Sequence, residues 1–487
     1  LTSFIPQAAL KLLTSRTALN LNQRDTNTEQ MTKKVVIVGG GIAGIKAALE
    51  LDAQGIEYQI LEAKDRLGGR LHTVQGKNTK YDLGASWYHE TLNNALFDEE
   101  VSDKTDELKW FFDDAPLKVI AEDGEVHGSL KLEPIGHEIY KFAELESYKD
   151  LEKDESLYDV IIRYLKTRKH LLSDEQILKA SQYARRLELW HGIEIKTLSS
   201  KDAMIDNAGR DALALHYDKV LKRHTDRLDM AKVSLKTVVT CVQRVDNCKK
   251  IIITTKSGEK HQADYAIIAV PQSILQLEEG NEGHIEFEPR LPKRIIDGLQ
   301  RVHFGALGKV VLEFDKVFWP TDSERIYVMS TPPSGFLEAI RNDTEVPEHD
   351  SSAPTTWDYP LLFLNLAMSF KIPSFVVLTQ SPLTDYLEAN PSVVWKYLKP
   401  IVCKLAGTED VPDPSNQIVT QWTQDPYQRG SYSACYPGDD PLEPILALEN
   451  GFGNVRFAGE HTILEGAGCV HGAWSSGIRE AKYIIDN

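Results

Sequence analysis

The sequence predicts an α/β fold built on a parallel sheet, and three observations carry that reading. Val35-Val36-Ile37-Val38 is a short β-branched apolar run, the character of a strand buried on both faces. A glycine-spaced turn at 39–44 follows it, then a helical stretch over 45–54 with Ile45, Ala48 and Leu49 on one face. Gly55 stops that helix, and Tyr58-Gln59-Ile60-Leu61-Glu62 reads as the next strand. Strand, turn, helix and strand in about thirty residues make a βαβ unit.

The later elements come in order. Residues 140–230 are charged and rich in Leu, Tyr, Lys and Glu, and read as mostly helical. Residues 234–245 and 250–255 read as strands, with a turn at 256–259. Residues 263–271 form another buried strand ended by Pro271. Further strands are expected at 309–314 and within 361–380, and a helix at 392–405. The segment 341–360, full of Asp, Glu, Pro, Ser and Thr, reads as a mobile loop. A strand at 455–458 and a helix at 470–485 close the pattern, and the chain shows no internal repeat.

At 487 residues the chain is too long for one core, so two or three domains are expected. A net charge of −17 disfavours nucleic acid, whose phosphates need a basic face, and suits a cationic partner. No apolar run approaches the length of a membrane-spanning helix, so no membrane partner is expected. Five scattered cysteines, with no CxxC pair, give neither a disulfide framework nor a metal site and favour a reducing compartment, the cytoplasm. Residues 1–30, with Lys11, Arg16 and Arg24 ahead of the first acid at Asp25, fit either a disordered leader before Met31 or a mitochondrial targeting segment.

Gly39, Gly41 and Gly44 make GxGxxG, a weak pattern on its own. Here the first glycine permits a tight strand-to-helix turn, the second lets a pyrophosphate approach the backbone, and the third lets helix pack on strand. The helix N-terminus offers free N–H groups to phosphate. Glu62, ending the second strand, sits where a carboxylate accepts from ribose hydroxyls. The reading is a bound dinucleotide.

The residues after Glu62 narrow the cofactor. Glu62-Ala63-Lys64-Asp65-Arg66-Leu67-Gly68-Gly69-Arg70 resembles the segment that, in FAD-binding folds of the glutathione-reductase type, runs from ribose to pyrophosphate. Arg70 would then offer paired N–H donors to phosphate. Tyr81-Asp82-Leu83-Gly84-Ala85-Ser86-Trp87 resembles the turn that passes the flavin, and Phe457-Ala458-Gly459-Glu460 the second FAD contact, with Glu460 near the ribityl chain. Together with Leu187-Glu188-Leu189-Trp190-His191-Gly192, His303-Phe304-Gly305-Ala306-Leu307-Gly308-Lys309 and Gly466-Ala467-Gly468-Cys469-Val470-His471, these segments resemble the flavin-containing amine oxidase family over roughly residues 33–485. The resemblance is strongest to its fungal polyamine (spermine) oxidase branch.

That resemblance implies a Rossmann-like FAD domain assembled from 31–112, 234–292 and 418–487, beside an α+β substrate-binding domain from 113–233 and 293–417. It extends the cofactor contacts from Gly39, Gly41, Gly44, Glu62, Arg70, Gly84, Ala85, Trp87, Gly459 and Glu460 to Val239, Trp422 and Val470. A lysine beside a strand is ordinarily a solvated charge, but Lys309 matches the family lysine that holds a water against flavin N5. Tyr432 matches the aromatic that faces the flavin. His89, Glu188, the Asp113-Asp114 pair and Asp211 are candidates to hold the cationic nitrogens of the substrate, with Asp211 standing where the polyamine branch tends to carry an amide. Ser431 stands where monoamine oxidases have their flavin-linking cysteine, and Cys469 where they have a second cage tyrosine, so the FAD is expected to be non-covalent. The implied reaction transfers a hydride from a polyamine to flavin N5, with O2 as oxidant and aldehyde, shortened amine and H2O2 as products. The same fungal group includes a corticosteroid-binding protein, which leaves open a steroid in the apolar tunnel with little or no turnover. A chromatin-linked homologue is remote, since no further interaction domain is evident.

Overall fold

The computed structural model describes residues 33–102, 109–149, 153–203, 208–245, 249–348 and 353–487. The expected leader and Cys248 lie outside the described residues, as do residues 349–352 of the expected loop.

The molecule is mixed α/β, with several sheets. Strand β1 (Lys34–Val38) is the centre of a five-stranded parallel sheet. On one side it pairs with β2 (Glu57–Leu61), which pairs in turn with Val233–Ser234. On its other side lie Tyr265–Ile268 and then Val455–Phe457. Helix α1 (Ile42–Asp52) makes the crossover between β1 and β2. It begins three residues before the expected start, because the chain turns into helix as soon as Gly41 has rounded the corner. Val35, Val36 and Ile37 are fully buried, as a β-branched run covered on both faces requires: Val35 and Ile37 face helices, while Val36 packs with Val239, Val242, Ile251 and Ile253 of a second sheet. The long C-terminal helix Val470–Asp486 packs against α1, and Gly477 allows the approach: a Cβ there would fall 2.3 Å from the Ala43 carbonyl oxygen.

The segment expected as one strand over 234–245 is two strands in two sheets. Val233–Ser234 joins the parallel sheet, while Val239–Val245 joins a separate four-stranded sheet with Lys250–Thr255, Lys260–Ala263 and Glu286–Glu288. Lys236, at φ +52°, makes the break. Among the described residues the segment 140–230 is mostly helical as expected, but the stretches 192–203 and 208–211 are turns, and Ala212–Leu215 is a strand that pairs with Trp87–Tyr88 and Lys109–Phe112. Within 361–380, the strands Leu361–Asn365 and Ser374–Thr379 flank one short helical turn, Leu366–Ser369.

A seven-stranded sheet forms the second large unit. Its order is Asn416–Val419, Gly308–Glu313, Ser374–Thr379, Leu361–Asn365, Arg325–Val328, Lys118–Ala121 and Gly124–Glu125. One face packs on the helices 132–149, 157–168 and 174–184, the other on the helix Val394–Ala406. All six residues of Gly308–Glu313 are buried, which places Lys309 inside the molecule. Among the described residues no helix is long and apolar enough to cross a membrane.

Candidate active site

A cavity of about 1240 Å³ is walled by both units, from the turn after β1 to the strand carrying Lys309. Its nucleotide end is made by glycines that the backbone cannot exchange freely. A Cβ on Gly39, at φ +108°, would meet the Ala269 carbonyl oxygen at 2.6 Å, and one on Gly44 the Gly39 carbonyl oxygen at 2.2 Å. At Gly41 a Cβ would meet no protein atom within 4 Å, because the position faces open space. Turn, close approach and helix packing are thus separate tasks of three glycines, as a dinucleotide turn requires. Gly39, Gly41, Glu62, Arg70, Val239, Gly459, Glu460 and Val470 line the cavity, while Gly44 is packed behind it. The Glu62 carboxylate accepts from the backbone N–H of Gly40 at 2.6 Å and of Lys64 at 2.8 Å, which fixes it at the rim of the turn.

Arg70 and Glu460 form a pair that the sequence treats as separate contacts. Arg70 Nη1 donates to Glu460 Oε1 and to the Ser431 carbonyl, both at 2.8 Å. Its other N–H groups have no acceptor among the described residues. Burial would raise the Glu460 carboxyl, but Arg70 and the Ser433 hydroxyl hold it below the usual range. Next to it, His461 is buried with neither ring nitrogen hydrogen-bonded, and burial lowers its pKa to about 4. A buried polar ring without partners is costly. The open cradle at Gly41, the unused Arg70 donors and this imidazole all fit a polar, phosphate-bearing group such as FAD.

Lys309 marks the other end. Its amine lies inside the cavity wall, donating to the carbonyls of Asp82 at 2.9 Å and Gly84 at 2.6 Å, with Ser86 Oγ at 2.6 Å. The turn 82–86 can curl around it because Gly84 lies against Arg70, where a Cβ would fall 1.7 Å from a carbonyl oxygen. Burial lowers the Lys309 pKa to about 8, with Asp82 opposing. The Trp87 ring lies 5.4 Å from the amine. Ala85, Trp87, His89, Trp422 and Tyr432 complete the wall around it. Tyr432 is fixed by donating its hydroxyl to the Trp190 carbonyl at 2.6 Å. His89 is held edge-on by Trp190 and stacked with Trp87, and its Nδ1 is 2.9 Å from Asp211.

Two expected ligand residues are elsewhere. Glu188 does not line the cavity: it is fully buried and occupied by Arg185 at 2.6 Å and Gln380 Nε2 at 2.9 Å. Asp211 stands one hydrogen bond behind His89 and is not part of the cavity wall. Asp113 and Asp114 do line it, but each has a cation, Arg325 at 2.8 Å and Arg210 at 2.9 Å. Burial still pushes the Asp113 carboxyl up. Ser431 lines the cavity with its hydroxyl donating to Gly305 O and accepting from Leu307 N–H. Cys469 also lines the cavity, at the N-cap of the last helix.

Sequence reasoning missed Tyr183, Arg186, His461, Arg325 and Tyr327 as wall residues. Strand alternation could have placed Arg325 and Tyr327 on one face. For Arg186 there was no such signal, since it sits in a charged helical stretch like many solvated arginines.

The flavin containing amine oxidoreductase family model matches residues 42–485. A corticosteroid-binding protein of Candida albicans is 38% identical over 478 residues, covering 93% of this chain and 96% of its own. Polyamine oxidase 5 of Oryza sativa subsp. japonica is 27% identical over 92% of this chain and 87% of its own. Probable polyamine oxidase 4 of Arabidopsis thaliana is 26% identical over 96% and 90%. The chain therefore belongs to the flavin containing amine oxidoreductase family, for which FAD is the expected cofactor.

Proposed function

We propose that this chain is an FAD-dependent polyamine oxidase. The observation that carries the reading is Lys309, a buried amine with a depressed pKa in the wall of a cavity that also holds the dinucleotide turn. A protein that only stored an apolar ligand would gain nothing from burying a lysine there, since desolvation penalises its charge. The parallel sheet with its glycine turn is read as the Rossmann-like, glutathione-reductase-type FAD domain, and the seven-stranded sheet with its helices as the substrate-binding domain.

The residues that would hold FAD are Gly39, Gly41 and Arg70 at the phosphates, Glu62 at a ribose, and Glu460 along the ribityl chain. With Ser431 at the position of a linking cysteine, the cofactor is held without a covalent bond. The chemistry FAD supplies when bound is hydride acceptance from the carbon beside a neutral amine nitrogen, followed by electron transfer to O2. The products are an aldehyde, a shortened amine and H2O2. Around it, Trp87 and Tyr432 form apolar walls that orient the amine and keep bulk water out. Lys309 is placed to move a proton, and a water held by it against the flavin would take the place of one of its three oxygen partners. As an ammonium it donates to all three of its oxygen partners; on losing a proton it accepts from the Ser86 hydroxyl instead. His89, oriented by Asp211, offers Nε2 to a substrate nitrogen.

A second reading is a steroid held in the same cavity with weak or no turnover. It is favoured by the name of the Candida relative and by the leucines of the cavity wall. The test is peroxide release from the purified yellow protein against a panel of amines. Turnover of spermine or a related polyamine supports the oxidase. Tight steroid binding with no peroxide from any amine overturns it.

A further inference from the structure

Beneath the seven-stranded sheet the cavity extends into a wing walled by Leu117, Leu187, Leu362, Leu378 and Tyr327. The charges facing the cavity are largely neutralised in pairs: Asp113 with Arg325, Asp114 with Arg210, Glu90 with His471, and Glu460 with Arg70. Lys309 is saturated by three oxygens. Arg186 differs. It lines this wing, half-buried, with its guanidinium carbon 4.7 Å from the Tyr183 ring centroid and 5.2 Å from that of Tyr140. Among the described residues the Tyr140 and Tyr183 hydroxyls accept from it, but no carboxylate or backbone carbonyl does. Glu133 also lines the cavity but is exposed and forms no ion pair with it.

The tyrosine rings cover the faces of the guanidinium, and their two hydroxyls take only part of its five N–H donors. The N–H donors of arginine lie in the plane, in a fork that matches a carbonyl or carboxylate oxygen. A cation with unused donors beside leucines also repels a second cation. We propose that Arg186 anchors the non-reacting end of the ligand through a carbonyl or carboxylate oxygen, so the cavity selects an amine with such an end over one ending in a second ammonium. This rests on the amine oxidase reading for the reacting end only. The same donor fork would take the ketone oxygen of a steroid.

The experiment compares three ligands of equal chain length: an α,ω-diamine, its mono-N-acetyl derivative and the corresponding ω-amino acid. Binding to the FAD-loaded protein is read from perturbation of flavin absorbance, and KM and kcat from peroxide release. Wild type should bind the acetylated amine or the amino acid more tightly than the diamine, and whichever is preferred names the oxygen group. Arg186→Met, with flavin content as the check on folding, should weaken that ligand by roughly tenfold, the scale of one hydrogen bond to a charged group. The loss should fall on KM with kcat kept, diamine binding should not weaken, and Arg186→Lys should recover part of the loss. A ketosteroid whose binding weakens equally in Arg186→Met uses the same anchor. A wild-type preference for the diamine, or an unchanged ligand ranking in Arg186→Met, overturns the proposal. If no amine is turned over, the oxidase reading fails, while the absorbance measurement still decides the role of Arg186.

Discussion

At the scale of the residue, the proposed chemistry turns on Lys309. Its folded pKa of about 8 lies below the ordinary lysine value, so the unfolded chain binds its proton more readily. This group therefore opposes folding fully below pH 8, and the penalty is relieved as pH rises from about 8 towards 10.5. For activity, the neutral amine becomes the main form above about pH 8. Lys309→Met is expected to keep fold and FAD, because methionine fills a similar volume. Polyamine turnover should fall by roughly tenfold or more, about 1.4 kcal/mol in the barrier. Stopped-flow absorbance resolves flavin reduction from reoxidation. The variant should slow at least one of them and lose the limb near pH 8; unchanged half-reactions would remove Lys309 from the mechanism. Arg186 shows the limit of reading single residues: only the fold reveals that two tyrosines replace its counter-ion.

At the scale of the element, the turn between β1 and α1 separates binding from folding. Gly41→Val puts a side chain into open space at an ordinary φ of −73°, so the protein should fold yet emerge without flavin. Gly44→Val drives a side chain into the Gly39 carbonyl and should fail to fold. Circular dichroism with flavin absorbance distinguishes the two outcomes, and normal flavin content in Gly41→Val would contradict the assignment of the turn. These elements were legible in sequence because glycine spacing and β-branched runs are local signals. The break at 235–238 was not, since pairing partners from two different sheets decide it. Glu188 was misplaced for a related reason. A carboxylate in a tunnel and one buried against an arginine look alike in sequence, although Arg185, three residues earlier, was a usable hint.

For the whole molecule, five strands drawn from distant parts of the chain meet in one parallel sheet, and the cavity lies between that sheet and the seven-stranded one. The site is consequently a property of the assembled chain: Arg70 meets Glu460, and Lys309 meets the turn at 82–86. Retention of FAD without a covalent link is proposed from Ser431, whose hydroxyl is bonded to Gly305 and Leu307, standing where a linking cysteine would be expected. Acid precipitation should leave the flavin in the supernatant; a yellow pellet would contradict that. Oxidation of a polyamine by this assembly is decided by mixing the yellow protein anaerobically with spermine or a related polyamine. The oxidised flavin absorbance should be lost within the mixing experiment and should return when O2 is admitted. An absorbance unchanged by every polyamine, in protein that carries its full complement of FAD, would contradict the oxidase assignment.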